Sequence, residues 1–238
     1  MSRKIAPAYV FEPSPRPALP VSGSDALFPV RRIFCVGRNY AAHAREMGGD
    51  PSREPPFFFA KPADAAVAVA PGSVADIPYP PRTENCHPEI ELVAAIGRGG
   101  AGIEAARALE HVWGYAAGLD MTRRDLQFAL RDKGRPWELG KGFDASAPLG
   151  ALKPARAVPG IEDAAIWLTV NGEARQRSRT REMTWSVAEI IAHLSQYFRL
   201  APGDLIFTGT PEGVGPVRRG DLLRAGIDGL DELAVRIV

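Results

Sequence analysis

Two glutamates one residue apart, Glu89 and Glu91, open an otherwise apolar run, Ile90-Glu91-Leu92-Val93-Ala94-Ala95-Ile96. Side chains alternate along a strand, so in strand form both carboxylates leave the chain in the same direction. Two like charges held together out of water require a cation. Clustered carboxylate oxygens suit magnesium, manganese or calcium, whereas zinc more often recruits the histidine and cysteine that are scarce here (4 His, 2 Cys). The same tripeptide on a solvated strand needs no metal. Burial decides between these readings, and the apolar run after Glu91 favours burial.

A third oxygen ligand is available in Asp120, which follows Gly114-Tyr115-Ala116-Ala117-Gly118-Leu119. This segment reads as a short apolar strand running into a helix over residues 123–131, with Thr122 as the N-cap and Asp125 closing a capping-box-like pair. An acid just before a helix also serves as a cap or dipole partner, so Asp120 stands between the two roles.

The elements that must position these groups are mostly strands. Arg32 to Val36 reads as a core strand that turns at Gly37 into an alanine-rich helix, Arg38 to Met47, ended by Gly48-Gly49. That helix is short enough to depend on tertiary support. Phe57 to Lys61 is an aromatic strand, Val67 to Val69 begins another, and Glu104 to His111 looks helical. A glycine-rich loop spans Gly134 to Asp144. Ile166 to Val170 followed by Asn171-Gly172 is a strong hairpin signal, because both turn residues accept positive φ. An amphipathic helix follows over Val187 to Phe198, then a strand from Leu205 into Gly209-Thr210-Pro211-Glu212-Gly213-Val214-Gly215, and terminal strands after Gly220-Asp221. This mixed order predicts an α+β, mostly β fold rather than regular βαβ winding.

The 238 residues, 45% hydrophobic, supply one substantial core, so residues 25–238 are read as a single domain. Residues 1–24, with Pro13, Pro15, Pro17 and Pro20, read as an extended arm carrying a short strand at Ala8 to Phe11. A formal charge of +1 argues against a nucleic-acid partner. Arg175, Arg177, Arg179 and Arg181 alternate as one solvated face. Cys35 and Cys86 are expected as reduced thiols. No run approaches a membrane span and no signal-like core opens the chain, so a cytoplasmic location is expected.

Glu89-x-Glu91 with Asp120, the Lys141 loop, Val170-Asn171-Gly172-Glu173 and Gly209-Thr210-Pro211-Glu212-Gly213-Val214-Gly215, in this order, resemble the fumarylacetoacetate hydrolase superfamily from about Val30 onward. The resemblance implies a mixed β-sandwich roll, usually a homodimer. It further implies a divalent cation, Mg2+ or Mn2+, held by residues matching Glu89, Glu91 and Asp120. Gly37-Arg38-Asn39-Tyr40 through His43 to Glu46 looks like the lid helix of the acylpyruvate hydrolase branch, in which a His and a Glu orient the attacking water. Residues three apart share a helix face, as His43 and Glu46 would. The segments 120–125 and 135–144 are most similar to enzymes of that branch that split fumarylpyruvate, an intermediate of gentisate breakdown, into fumarate and pyruvate.

On that resemblance the substrate is a small anionic diketo acid. Lys141 is the oxyanion partner, Arg124 and Gln127 meet the keto acid, Thr210 and its glycine neighbours offer donors to a carboxylate, and Lys61 and Arg38 serve the distal carboxylate. His87, His111 and His193 are assigned to structure, while Trp137 either packs the loop or walls the pocket. Oxaloacetate decarboxylation is a second reading, since it uses the same electron sink without an attacking water. A metal-binding scaffold without catalysis is a third.

Overall fold

The computed structural model describes residues 9–48 and 54–238. An eight-stranded sheet runs Phe57–Lys61, Arg32–Gly37, Asp204–Phe207, Ile90–Ile96, Val112–Leu119, Ala147–Leu149 and Ala66–Ala68, with Lys153–Pro154 also paired to Val112–Leu119. It is mixed: Asp204–Phe207 lies parallel to Arg32–Gly37 and antiparallel to Ile90–Ile96. A five-stranded sheet runs Glu173–Arg179, Ala165–Val170, Leu222–Ile227, Leu233–Ile237 and Ala75–Ile77. Among the described residues, four α-helices accompany them: α1 (Ala41–Glu46), α2 (Arg124–Arg131), α3 (Glu138–Lys141) and α4 (Val187–Tyr197). The fold is the mostly β, α+β arrangement expected.

Strand alternation divides the interior in two. Phe34, Leu92, Ala94, Ile96 and Ala117 of the large sheet meet Ile166, Leu168, Leu223, Ala225 and Val235 of the smaller one in the main core. The opposite set, Ile33, Cys35, Val93, Ala95, Ala116, Leu205 and Phe207, packs with Leu19 and Phe28 in a second cluster. Every residue of Ile90–Ile96 is buried, because both faces of this strand are covered. Glu91 has the parity of Val93 and Ala95, so it leaves the strand on the side of the second cluster.

The Asn171-Gly172 turn joins Ala165–Val170 to Glu173–Arg179, with φ of 53° and 85° at its two central residues. Ser186 caps α4 in a reciprocal box with Glu189. Arg175 and Arg177 are exposed, and Arg179 and Arg181 pair with Asp163 at the surface. Both cysteines are buried and free. Among the described residues no helix is long and apolar enough to cross a membrane.

Several expectations are corrected. Residues 9–11 form no strand, and Ala8 lies outside the described residues, as does Gly49 at the expected end of α1. The strand in this region is Ala18–Pro20, paired with Leu27–Pro29, because Leu19 is the apolar side chain that finds a covered site. Residues 9–16 are exposed throughout. Ala105–His111 is helical as expected, in 3-10 form, whereas the glycine-rich loop contains α3.

Thr122 does not cap α2. It belongs to a two-residue strand, Thr122–Arg123, paired with Cys86–His87, and its hydroxyl accepts from Lys141 Nζ at 2.7 Å. A stronger, charged partner has claimed the oxygen that would have capped the helix. Asp125 instead accepts from Thr83 Oγ1 at 2.6 Å and from the Leu126 amide at the start of α2 at 2.8 Å.

Candidate active site

The three acids converge through strand register. Antiparallel pairing sets Ile90 opposite Leu119 and Glu91 opposite Gly118, and the Asp120 amide donates to the Glu89 carbonyl at 2.9 Å. Asp120 and Glu89 are therefore neighbours across the strand pair. Glu89, Glu91 and Asp120 are all buried, and each offers one oxygen within 4.8 Å of the others.

Cations surround this cluster. Lys141, delivered by α3, donates to Glu89 Oε2 at 2.8 Å, Asp120 Oδ2 at 2.6 Å and Thr122 Oγ1 at 2.7 Å. Arg124, first residue of α2, pairs with Glu89 Oε1 and donates to Gln127 Oε1 at 2.5 Å. Lys61 Nζ lies 2.8 Å from Asp120 Oδ1 at an angle that makes no hydrogen bond, while it donates to the carbonyls of Met121 and Lys141. Lys61 thus stands behind Asp120, buried, rather than at an open position where a distal carboxylate would arrive.

The compensation is uneven. Burial alone would raise the Glu89 carboxyl, but Lys141 and Arg124 outweigh it and hold Glu89 well below the usual carboxylate range. Glu91 is pushed well above that range, by burial first and then by the neighbouring Asp120 and Glu89 charges, with the Gly209 amide at 2.6 Å opposing. A buried carboxylate lacking a countercharge, beside an Asp120 oxygen to which no donor points, fits a hard divalent cation. Gly209 makes its amide available through a φ of 99°, and a Cβ there would stand 2.6 Å from that of Asn39.

Asn39 fixes the start of the α1 segment. Its side chain donates to the carbonyls of Trp185 and Thr208 at 2.8 and 2.7 Å and accepts from the Trp185 amide at 2.7 Å. From there α1 brings His43 into the pocket, with Nδ1 3.3 Å from Glu46 Oε2. Both oxygens of Glu46 lie within hydrogen-bond reach of the Gly213 amide, at 3.2 and 3.1 Å. Against an ionised Glu46 the proton belongs on Nδ1, which leaves Nε2 able to accept one. Burial lowers the His43 pKa below 6.5; Arg124 acts in the same direction, and Glu89 and Glu46 oppose it. His43 is therefore neutral at pH 7, and a base of this kind loses activity only as pH falls through that lowered value. A pH profile of kcat/KM should have its acid limb below 6.5, and an acid limb above 7 would rule out this role.

The pocket is lined by Glu89, Glu91, Asp120, Arg124, Gln127 and Lys141, with His43, Arg38 and Thr210 around them. The Thr210 hydroxyl is occupied, donating to the Ile90 carbonyl at 2.8 Å and accepting from Gln176 Nε2 at 2.8 Å. Gln176, which also accepts from the Ile90 amide at 3.0 Å, escaped the sequence reading because it looks like one more polar residue on an arginine-rich strand. Its inward parity was the available signal. Phe128 and Arg131 were missed too, although they lie one and two turns beyond Arg124 on the same helix face. Trp137 both walls the pocket and packs edge-on against Phe57, with ring centroids 5.2 Å apart. His111 Nδ1 lies 2.8 Å from the Arg98 carbonyl, and the His193 ring packs on Trp185 with centroids 4.7 Å apart. His87 borders the site, 3.4 Å from Arg124 Nε.

Residues 32–238 match the family described as Fumarylacetoacetate (FAA) hydrolase C-terminal. The chain belongs to the fumarylacetoacetate hydrolase family. A fumarylpyruvate hydrolase of Ralstonia sp is 47% identical over 188 residues, covering 79% of this chain and 95% of that protein. A mitochondrial oxaloacetate tautomerase of Homo sapiens is 42% identical over 207 residues, covering 87% and 91%. Among solved structures, the fumarylpyruvate hydrolase of Pseudomonas aeruginosa in complex with Mn2+ and pyruvate superposes with a TM-score of 0.95 at 61% identity, covering 97% of this chain and 99% of that one. The family's fold is thus the one built here around the three buried acids.

Proposed function

We propose that this protein is a divalent-metal-dependent hydrolase that cleaves the C–C bond of an acylpyruvate, with fumarylpyruvate as substrate and fumarate and pyruvate as products. The observation that carries the reading is the buried Glu89, Glu91 and Asp120 cluster inside a chain similar over nearly its whole length to a fumarylpyruvate hydrolase solved with Mn2+ and pyruvate. Mg2+ remains the second candidate ion, since both are hard cations that take oxygen ligands.

When bound, a divalent cation supplies a Lewis acid toward the carboxylate and adjacent keto oxygen of the pyruvyl half. The chain's own groups do the rest. Water adds to the acyl carbonyl while His43 takes its proton and Glu46 holds the imidazole. The bond between that carbonyl and the methylene then breaks. Its electron pair leaves with the pyruvyl half, which takes up a proton to become pyruvate, and the acyl half departs as fumarate.

Lys141 has three N–H donors and commits all of them to Glu89, Asp120 and Thr122. Serving an oxyanion means exchanging one, and neutral Thr122 is the partner most easily surrendered. Lys61 positions Asp120, and Arg38, at the pocket wall, supplies positive charge to an anionic ligand. A homodimer in the cytoplasm, acting in gentisate breakdown, is the setting that accords with this chemistry.

Oxaloacetate is the second substrate to consider: the human relative is an oxaloacetate tautomerase, whose reaction releases no pyruvate, and decarboxylation of the same molecule would use the same electron sink. Glu46→Gln separates the readings. It should lower fumarylpyruvate hydrolysis by roughly 10²–10⁴-fold, the usual contribution of acid–base catalysis. Pyruvate release from oxaloacetate, which needs no attacking water, should be largely spared. Mn2+-loaded protein that converts oxaloacetate but never cleaves fumarylpyruvate would refute the hydrolase assignment.

A further inference from the structure

We propose that Arg131 binds the far carboxylate of the acyl chain, so that Arg124 and Arg131 together gauge the length of a dicarboxylic ligand. The inference rests on the acylpyruvate reading and deepens it, by stating which acyl groups the pocket favours.

The helix α2 supplies the gauge. Arg124, Gln127, Phe128 and Arg131 stand at i, i+3, i+4 and i+7, the spacing of one helix face, and all four line the pocket. Arg124 is buried at the inner end, held by Glu89, whereas Arg131 has a side chain 33% exposed, as expected at a mouth. Seven residues of helix place the two backbone positions roughly 10 Å apart. The Phe128 ring contacts both guanidinium groups, its centroid 5.8 Å from Arg124 Cζ and 4.5 Å from Arg131 Cζ. The two charges can therefore stand no farther apart than those distances combined.

A seven-carbon diacid fits within that limit. Six C–C bonds of about 1.5 Å in an extended zigzag set the terminal carbons roughly 7.5 Å apart, and the carboxylate oxygens reach beyond them. With one end toward Arg124 and the acids, the other arrives at Arg131. Between the charges, the pocket presents Phe128, Phe59 and Trp137, apolar surfaces suited to a planar unsaturated middle.

Arg131 has competing partners. Its Nε and Nη2 lie 3.0 and 2.9 Å from Asp132 Oδ1, and Nη1 donates to the Met47 carbonyl at 3.4 Å. Asp132 is exposed, with a side chain 64% accessible, so that pair gives up little when it breaks. The Met47 contact joins Arg131 to the end of the α1 segment, which places the guanidinium where a bound carboxylate and the lid meet.

The test uses 2-oxoheptanedioate, a seven-carbon keto diacid that lacks the 1,3-diketone and cannot be cleaved, and 2-oxoheptanoate, which has a methyl group at the far end. Binding of each to the Mn2+-loaded protein is measured by calorimetry for the wild type, Arg131→Leu and Arg131→Lys. The wild type should prefer the diacid by roughly 10–100-fold, the worth of one hydrogen bond to a charged group. Arg131→Leu should abolish the preference while leaving mono-acid affinity within about threefold, and Arg131→Lys should keep part of it. No preference in the wild type, or an undiminished one in Arg131→Leu, overturns the proposal. Because neither ligand reacts, failure of fumarylpyruvate turnover would refute the hydrolase reading separately from this one.

Discussion

Lys141→Met is expected to lower kcat/KM for fumarylpyruvate by roughly 10²–10³-fold, as loss of a single oxyanion donor does. The same substitution should also reduce the melting temperature of the metal-free protein. Lys141 touches both Glu89 and Asp120, at 2.8 and 2.6 Å, in a buried setting. Removing one member of such a pair leaves uncompensated buried charge and costs about 3–5 kcal/mol. In a chain of this size that corresponds to a fall of roughly 6–20 °C. Mn2+ should recover much of the lost stability, because an ion that binds the folded acids stabilises them by mass action. Activity should stay low. If calorimetry finds the same melting temperature in both proteins without metal, Lys141 is not the cation that balances the cluster; if Mn2+ restores turnover along with stability, its catalytic role is wrong.

Asp120→Asn should be the more damaging change to ion binding. The substitution keeps shape and removes only charge, yet Asp120 serves two lysines, with Lys61 2.8 Å from Oδ1 and Lys141 2.6 Å from Oδ2. A neutral amide withdraws the negative charge from one oxygen ligand, leaving Lys61 with carbonyl partners and Lys141 with Glu89 and Thr122. Mn2+ affinity should fall by more than the 10–100-fold that loss of even an outer partner of a metal site costs. The accompanying loss in kcat/KM should be on the order of 10³-fold, about 4 kcal/mol of barrier. Calorimetric titration with Mn2+ measures the first effect directly. Unchanged affinity would remove Asp120 from the ligand set, and with it the three-acid site.

These effects are large because the charges at the site are paired out of water. Glu89 and Asp120 are matched to Arg124, Lys141 and Lys61, while Glu91 accepts a backbone amide, so loss of one charged group leaves its partners buried and unbalanced. Both losses come from breaking such pairs in a region where water cannot restore the balance.

Much of this arrangement was legible beforehand. The apolar run after Glu91 identified a strand buried on both faces, and the period of two placed both glutamates on one side of it. The Asn171-Gly172 turn appeared where its backbone chemistry demands. Thr122 shows where local reasoning failed: as a hydroxyl before a helix it has the pattern of a cap, yet the ammonium that occupies it comes from a residue 19 positions later. Lys61 likewise ends an aromatic strand and looks like a surface charge, but the carboxylate it pairs with stands just past the end of another strand of the same sheet.

By itself, then, the sequence determined the candidate metal-ligating side chains and which way they leave their strands, because alternation and turn preference are properties of a few consecutive residues. Only the tertiary structure decided how charge is shared among them: that Lys141 spans two acids, that Lys61 backs Asp120, that Gln176 and Thr210 lock to Ile90, and that Arg131 reaches the pocket at all. The reason is electrostatic. A pair's strength depends on distance and on the exclusion of water, and both are set by the packing of segments far apart in the chain.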